Sequence, residues 1–436
     1  MRVGGSGITR HLPKSATATR AHLVHKAKEV EMDTVVWVLI STALVLLMTP
    51  GLAFFYGGLV KEKSVVSMMM MSFGALGLVA VLWILIGANM SSIDGSIWSF
   101  SGNPFSNFGQ EGVAGVDLLS VAFGGTFAII TTALISGAIA DRARFGPWMI
   151  YTGVWATLVY FPVAAWVWGG GWIQNLGDSL GGLPAVIDFA GGTAVHINAG
   201  AAALGLALVL GKRVGFNKDI TQPHNVPLVL IGAALLWFGW FGFNAGAAGT
   251  PDEAGLIVFN TLAAPAAAIL GWIVVEKLRT GKATAVGAVS GVVAGLVAIT
   301  PACANLTPGW ALLLGLIAGA VCALAIELKF NLGFDDSLDV VGLHLVAGII
   351  GTLYLGLFAT DTGLFVGGDA GQLVVQTISV LAVAIFSFAA SWLIGTAIQK
   401  TIGFRVTSEE EIAGIDLAVH GESGYAMSSR GTVPAE

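Results

Sequence analysis

Charged side chains are scarce in this chain of 436 residues. Asp, Glu, Lys and Arg make up 11% of it, whereas hydrophobic residues make up 56%. A water-soluble domain carries roughly 25% charged residues, and so few charges cannot cover a water-facing surface. The mean hydropathy of +0.84 agrees with this. Most of the outer surface must therefore face lipid, and the net charge of -6 says little, because the charges lie almost entirely in loops and termini.

Cysteine and enzymatic motifs are also nearly absent. Cys303 and Cys322 lie in or beside apolar segments, and their spacing offers neither a disulfide framework nor a metal site. We predict that both are packing residues. The sequence at 281–284, GKAT, lacks the spacing of a phosphate-binding loop, and no Ser-His-Asp set or metal-ligand cluster lies along one apolar stretch. We therefore expect no enzyme activity, no metal, no cofactor and no nucleic-acid partner.

Eleven apolar stretches are long enough to cross a bilayer, because a hydrocarbon core about 30 Å thick requires about 20 helical residues. They are predicted at 33–60, 64–90, 118–140, 147–168, 189–211, 226–247, 256–279, 283–301, 309–330, 338–359 and 372–399. The fold class is thus an all-α integral membrane protein with 11 transmembrane helices. We divide the chain into an N-terminal extension (1–31), a transmembrane domain (32–403) and a tail (404–436).

Lysine and arginine predict how these spans are oriented. Between residues 32 and 408 they all follow odd-numbered spans: Lys61, Lys63, Arg142, Arg144, Lys212, Arg213, Lys218, Lys277, Arg279, Lys282, Lys329, Lys400 and Arg405. Cytoplasmic loops concentrate Lys and Arg. We therefore predict a multi-pass protein of the plasma membrane with its N-terminus outside and its C-terminus in the cytoplasm.

The extension 1–31 does not fit this orientation. It contains six basic residues and no apolar core of a signal peptide, and a basic segment outside the cell contradicts the distribution of the other charges. We expect that translation begins at Met32, just before the first apolar run, which N-terminal sequencing of the natural protein would test.

Two segments share one pattern: Asp, seven residues, His, three residues, Gly. The matching residues are Asp188, His196 and Gly200 in span 5, and Asp336, His344 and Gly348 in span 10. Because an odd number of spans separates the two segments, they have opposite orientations in the membrane. We predict two inverted five-helix repeats plus a final helix, an arrangement that places the substrate path between the repeats.

Both histidines lie about 9–12 Å from the predicted starts of their helices. Ionisable side chains inside a membrane are costly and usually face a cavity or one another. Matching repeat positions favour a pore over a packing role for His196 and His344. Asp188 and Asp336 are predicted to cap their helices, and for Asp188 an electrostatic role near an outer mouth stays open.

Aromatic residues cluster near the predicted outer ends of several spans. They are Phe127 in span 3, Trp168 at the end of span 4, and Trp237, Trp240, Phe241 and Phe243 in span 6. Interfacial Trp residues usually anchor helices at the headgroup level, but aromatic faces also hold small cations. The pattern alone leaves both interpretations open.

Several runs resemble the ammonium transporter (Amt/Mep/Rh) family, in its bacterial Amt branch. They are TPGLAFFYGGL at 49–59, ADRARF at 140–145, VWGGG at 167–171, DFAGGTAVHINAG at 188–200, GWFGFNAG at 239–246 and TPAC at 300–303. The resemblance covers about residues 32–428, and the DFAGG run at 188–192 is highly specific for this family. It implies a homotrimer with one pore per subunit, and ammonium, with methylammonium, as substrate.

The resemblance also implies roles for individual residues. His196 and His344 correspond to the family's twin pore histidines, and Phe127 and Phe243 to its stacked phenyl gate. Ammonium would bind outside and lose a proton, and neutral ammonia would cross an apolar pore. Potassium, which cannot lose a proton, would be rejected. Whether the histidines also relay the proton is left open.

Further correspondences concern the outer site and the pore wall. Phe55 and Trp240 match pore-lining aromatics, whereas Trp168 and Asp188 match the external ammonium site, to which Phe127 also belongs. One departure from the family is Ala247, which stands where a serine hydroxyl is usual. Recruitment would then depend more on aromatic faces and local carbonyl groups.

The tail matches the family as well. The resemblance implies that a cytoplasmic PII-family signal protein contacts it and blocks the pore from inside; the matching residues are Gly414, Asp416, His420, Gly421 and Tyr425. Composition alone would instead favour a solvated, partly disordered acidic tail. Two further alternatives are an ammonium sensor that conducts little and a transporter of another small amine.

Overall fold

Eleven long helices dominate the fold. The computed structural model describes residues 14–93, 99–217 and 222–425, with side chains from residue 34 onwards. In these ranges no strand occurs, and one isolated bridge pairs Ala143 with Arg405. The helices that are long and apolar enough to span a membrane are α1 (Thr34–Leu59), α2 (Glu62–Met90), α3 (Asp117–Ile139), α4 (Phe145–Val167), α5 (Gly192–Leu210), α6 (Val226–Ala245), α7 (Pro251–Thr280), α8 (Ala285–Ala302), α9 (Pro308–Leu332), α10 (Val341–Phe358) and α11 (Gly371–Thr401).

The predicted fold class and all eleven spans are confirmed. The boundaries differ most at α7, predicted from residue 256 and found to begin at Pro251. The Thr250 hydroxyl accepts a hydrogen bond from the backbone N–H of Glu253, proline suits a first helical turn, and acidic residues favour the positive end of the helix dipole. The prediction followed hydropathy and so missed a polar first turn.

The helix that contains α1 begins upstream of it, at Lys14. Residues 1–13 of the predicted N-terminal extension lie outside the described residues. A translation start at Met32 therefore stays a prediction.

Small residues bring the helices into close contact. In α9, a Cβ atom added to Gly319 would lie 2.1 Å from the carbonyl oxygen of Ala268 in α7. In α6, a Cβ atom on Gly232 would lie 2.2 Å from the backbone nitrogen of Phe55 in α1. Neither position has room for a larger side chain. Close packing of this kind replaces the hydrophobic driving force, which is missing between helices in lipid.

A buried ionic cluster ties together the loops at the predicted cytoplasmic end. The Asp335 carboxylate lies 3.0 Å from Nε of Arg213 and 3.8 Å from Nη1 of Arg142, and Arg213 also pairs with Asp141 at 3.3 Å. Burial opposes ionisation of Asp335, but the hydrogen bonds and charges of Arg213 and Arg142 outweigh it and hold the pKa of this carboxyl below its usual range. The cluster joins the loops that follow α3, α5 and α9.

The tail packs against this end as far as residue 425. Thr407 caps the short helix Ser408–Ala413 in a capping box with Glu410. The Asp416 carboxylate accepts hydrogen bonds from the backbone N–H groups of Val66 (3.0 Å) and Ser67 (2.7 Å) at the start of α2. Residues 404–425 thus form a short capped helix and contacts with α2, whereas the alternative predicts a solvated, partly disordered tail. Residues 426–436 lie outside the described residues.

The close contact between α1 and α6 predicts that a methyl group added at Gly232 destabilises the protein. Gly232→Ala should lower the melting temperature of the detergent-solubilised protein by several degrees, because overpacking at such a site costs about 1–3 kcal/mol. Gly77→Ala in α2 is the matched control, since nothing lies within 4 Å of its added Cβ. It should leave the melting temperature unchanged or slightly raised. Equal melting temperatures for both variants, measured by fluorescence-detected size-exclusion chromatography, would contradict this packing.

Candidate functional site

Two buried histidines face each other within the bundle. His196 of α5 is 1% exposed and His344 of α10 is 4% exposed. Their Nδ1 atoms are 3.2 Å apart, and their ring centroids are 5.3 Å apart. In a pair of neutral imidazoles, one Nδ1 must carry the proton and the other must accept it. The pair then has complementary tautomers, so that one Nε2 atom is a donor and the other is an acceptor.

The same local geometry holds both histidines. Each lies in a π-helical turn at the start of its span, Gly192–Ile197 in α5 and Val341–Leu345 in α10. Such turns are rare and occur frequently at functional sites. Each turn starts beside a buried aspartate, the first residue of the repeated sequence pattern. The repeat in sequence is thus matched by a repeat in local structure.

The two aspartates hold the starts of these turns. The Asp188 carboxylate accepts hydrogen bonds from the backbone N–H groups of Thr193 (2.9 Å) and Ala194 (3.0 Å). The Asp336 carboxylate accepts from those of Val340 (3.1 Å) and Val341 (2.7 Å). Both therefore act as the helix caps that the sequence predicts.

A narrow slot surrounds the histidine pair. Its volume is about 20 Å³, roughly what one water molecule requires. Most of its wall is apolar: Met48, Leu52, Phe55, Ile130, Leu134, Val195, Leu236, Val293, Leu338 and Leu343. Nε2 of His196 has no hydrogen-bond partner among the described residues. The predicted pore residues Phe55 and Trp240 both line the slot, and the indole of Trp240 stacks on His196 with 5.4 Å between ring centroids.

Two phenyl rings close one end of the slot. Phe127 of α3 and Phe243 of α6 are stacked, with centroids 4.2 Å apart and planes inclined by 26°. Phe243 lines both the slot and a larger cavity beyond it. The two residues predicted as a phenyl gate are therefore in contact and separate the two spaces.

The larger cavity has a volume of about 540 Å³, and Phe127, Trp168 and Ala247 are among its lining residues. We name it the outer vestibule after the predicted orientation. The indole N–H of Trp168 donates to the main-chain oxygen of Asp188 at 2.8 Å. The Asp188 carboxylate itself faces the backbone of α5 and is not part of this lining. Of the four residues predicted to recruit the substrate, three thus line the vestibule and Asp188 lies behind the wall.

Sequence reasoning missed Phe123. Its ring also lines the vestibule and meets Phe127 edge to face, with centroids 4.9 Å apart. A signal for it existed, since residues four apart lie on one face of a helix. Its ring also packs against Gly246, where an added Cβ would lie 2.5 Å away, so Phe123 closes the vestibule beside Ala247.

A charged cavity adjoins the opposite end of the slot. This cavity, which we name the inner vestibule after the predicted orientation, has a volume of about 290 Å³ and is lined by Asp141, Arg213 and Lys329 among others. Leu338 lines both the inner vestibule and the slot. An aromatic cavity, a narrow apolar slot and a charged cavity therefore follow one another through a single chain.

The predicted tail residues lie together on the loops of the predicted cytoplasmic end. Gly414 and Gly421 both have positive φ angles, of 107° and 67°. The ring of His420 packs on Phe145 at 5.4 Å, and the hydroxyl of Tyr425 lies 2.8 Å from Nε2 of His224. Burial raises the pKa of the Asp416 carboxyl, opposed by its hydrogen bonds from Ser67 and Val66.

Comparison with known proteins identifies the family of this chain. The sequence model of the Ammonium Transporter Family matches residues 36–425. The chain belongs to the ammonium transporter family. It is 49% identical to an ammonium transporter of Mycobacterium tuberculosis strain H37Rv, over 91% of each chain. It is 44% identical to that of Bacillus subtilis, over 91% of this chain and all of the relative.

Solved structures of this family have the same fold. A sensor Amt protein matches with a TM-score of 0.83 at 28% identity, over 90% of this chain and 99% of that one. Mep2 of Candida albicans matches with a TM-score of 0.80 at 34% identity, over 92% of both chains. The chain is therefore a multi-pass membrane protein that transports ammonium across a membrane, and it is a transporter rather than an enzyme.

Proposed function

We propose that this ammonium transporter conducts ammonia between His196 and His344 after ammonium has lost a proton on the vestibule side of the phenyl gate. The observation that carries the proposal is the slot, which is narrow and mostly apolar. Besides the histidine pair, its polar side chains are Trp240 and Tyr56, whose hydroxyl donates to the carbonyl oxygen of Leu134. Removing an ion from water into such a space costs several kcal/mol even after relaxation. A neutral molecule avoids most of that cost.

The paired imidazoles suit ammonia chemically. Their complementary tautomers provide one Nε2–H donor and one Nε2 acceptor. Ammonia can accept the first hydrogen bond through its lone pair and donate the second. Potassium has a similar radius and the same charge as ammonium, but it has no proton to lose. Deprotonation at the outer end would therefore make the slot selective for ammonium.

Recruitment is assigned to the outer vestibule. The faces of Phe127 and Trp168 attract a small cation, an interaction worth about 0.5–2 kcal/mol depending on hydration. The two rings lie edge to face, with centroids 6.2 Å apart. Asp188 contributes from behind the wall, where its charge favours a cation without touching it. Phe127 and Phe243 must then separate, since their stacked rings cover the entry to the slot.

Once the phenyl rings have separated, the released proton can follow ammonia to the same pair. A proton arriving at Nε2 of one imidazole allows its Nδ1 proton to move across the 3.2 Å contact to the other. The second ring then releases its own proton from Nε2. Transport is electrogenic if the proton crosses with ammonia, and electroneutral if it returns outside.

Replacing either pore histidine tests this relay. His196→Ala and His344→Ala should each abolish most of the ammonium-evoked current in proteoliposomes, because each removes half of the Nδ1–Nδ1 contact. Current and internal pH would be recorded together. Gly77→Ala, on the exposed side of the transmembrane helix α2, is the matched control. Unchanged selective current in both histidine variants would rule out the relay. A wild-type protein that gives neither a current nor a change of internal pH would favour the sensor alternative.

The missing hydroxyl at position 247 predicts a gain of affinity. Ala247→Ser would add an acceptor to the vestibule wall, and hydrogen bonds to charged groups are among the stronger ones. The half-saturating ammonium concentration should fall about two- to tenfold with little change in maximal rate. Ala248→Ser is the matched control, since Ala248 is not part of the vestibule lining. Equal affinities in the two variants would show that residue 247 does not contact the cation.

We further propose a homotrimer in the plasma membrane, with the N-terminus outside and the tail and inner vestibule facing the cytoplasm. One chain lines a complete slot, which supports one pore per subunit. Native mass spectrometry tests the trimer, and labelling of single cysteines placed in the loops tests the orientation.

Regulation by a PII-family protein is proposed for the same face. The Glu411 carboxylate of the tail accepts a hydrogen bond from the backbone N–H of Val214, which lines the inner vestibule. A protein bound to the tail would therefore sit at the inner opening of the pore. A PII-family protein from the same organism should reduce the ammonium-evoked current, and a variant ending at residue 403 should be insensitive. A PII protein without effect on wild type would contradict this regulation.

A further inference from the structure

The indole of Trp240 forms part of the slot wall, yet its N–H group does not point into the slot. It donates a hydrogen bond to the hydroxyl of Thr300 at 2.9 Å. We propose that Thr300 is a positioning residue for conduction, whose hydroxyl keeps the Trp240 indole flat against His196 and its N–H out of the ammonia path. This inference rests on the proposed function of the slot.

The direction of this hydrogen bond is fixed by chemistry. The Thr300 hydroxyl also donates to the carbonyl oxygen of Leu296 at 2.7 Å. A hydroxyl has one proton, and an indole N–H is a donor only. Thr300 must therefore accept from Trp240 while it donates to its own helix, so that the one polar proton of each side chain is in a hydrogen bond.

Thr300 is itself held firmly. Its side chain is fully buried, and it opens the 3₁₀ turn Thr300–Ala302 at the end of α8. The next residue, Pro301, accepts a hydrogen bond from the backbone N–H of Phe189 at 3.1 Å. Pro301 also packs on Gly192, where an added Cβ would lie 2.5 Å from its ring. The anchor of Trp240 is thus tied to the loop that carries Asp188.

The indole in turn orients two groups of the pore. Its plane is inclined by only 19° to that of His196, with centroids 5.4 Å apart. It also contacts Phe243 of the phenyl gate at 5.4 Å. Rotation of the indole would therefore disturb both the histidine and the gate.

A free indole N–H would also change the chemistry of the slot. A buried donor without a partner is strongly unfavourable, and the nearby slot is the space into which it could turn. There it would donate to the lone pair of ammonia or to a water molecule and hold it in place. The Thr300 hydroxyl prevents this, so that the two Nε2 atoms of the histidine pair stay the polar contacts for the passing molecule.

Removal of this hydroxyl should slow conduction without weakening recruitment. In Thr300→Val, which keeps the shape and loses the hydroxyl, the maximal rate of ammonium transport into proteoliposomes should fall about tenfold. The half-saturating concentration should stay unchanged, because the outer vestibule is untouched. Thr300→Ser, which keeps the hydroxyl, should retain most of the rate. If Thr300→Val does not fold, Thr300→Ala provides the same comparison.

A double substitution separates positioning from simple packing. Phenylalanine has no N–H to hold, so Thr300→Val should have no further effect in a Trp240→Phe background. An equal loss in both backgrounds, a wild-type rate in Thr300→Val, or a loss in Thr300→Ser as large as in Thr300→Val would overturn the inference.

If His196→Ala abolishes the current while Thr300→Val conducts normally, this inference fails and the proposed function stands. If His196→Ala and His344→Ala both keep the selective current, the proposed relay is wrong, whatever the rate of Thr300→Val.

Discussion

Two imidazoles buried within a membrane-spanning bundle must satisfy each other, and much of the surrounding fold serves that contact. A polar group without a partner is costly in such a place, and the 3.2 Å approach of the two Nδ1 atoms meets the requirement. The contact requires the first turns of α5 and α10 to lie side by side. Asp188 and Asp336 provide those starts by capping the π-helical turns that carry His196 and His344.

Three kinds of environment follow one another on the two sides of the histidine contact. Aromatic side chains line the outer vestibule, and the faces of such rings attract small cations. Apolar side chains line the slot, where ions are penalised. Charged side chains line the inner vestibule, and two of them, Asp141 and Arg213, belong to the cluster that joins the loops there. Each environment is made by residues distant in sequence, and the two phenyl rings and Leu338 mark the boundaries.

Sequence reasoning was strong where a feature is periodic or repeated. Hydropathy predicts the eleven spans, and the shared Asp-His-Gly pattern predicts that His196 and His344 correspond. It was weak where a feature depends on side chains that meet across helices. The hydrogen bond of Trp240 to Thr300 joins residues sixty positions apart, and no sequence pattern in either helix predicts it. The roles of Phe127 and Phe243 came from family resemblance, because periodicity cannot separate a gate from an interfacial belt.

The capping of α2 by Asp416 has a consequence for the order of folding. The acceptor lies 350 and 349 positions after the N–H groups of Val66 and Ser67 that it satisfies. During synthesis those groups depend on water until nearly the whole chain has left the ribosome, and contacts of such long range are made late. The second helix to enter the membrane is therefore among the last to be completed. In a chain that ends before the tail, the backbone N–H groups of Val66 and Ser67 lack the Asp416 carboxylate as their acceptor.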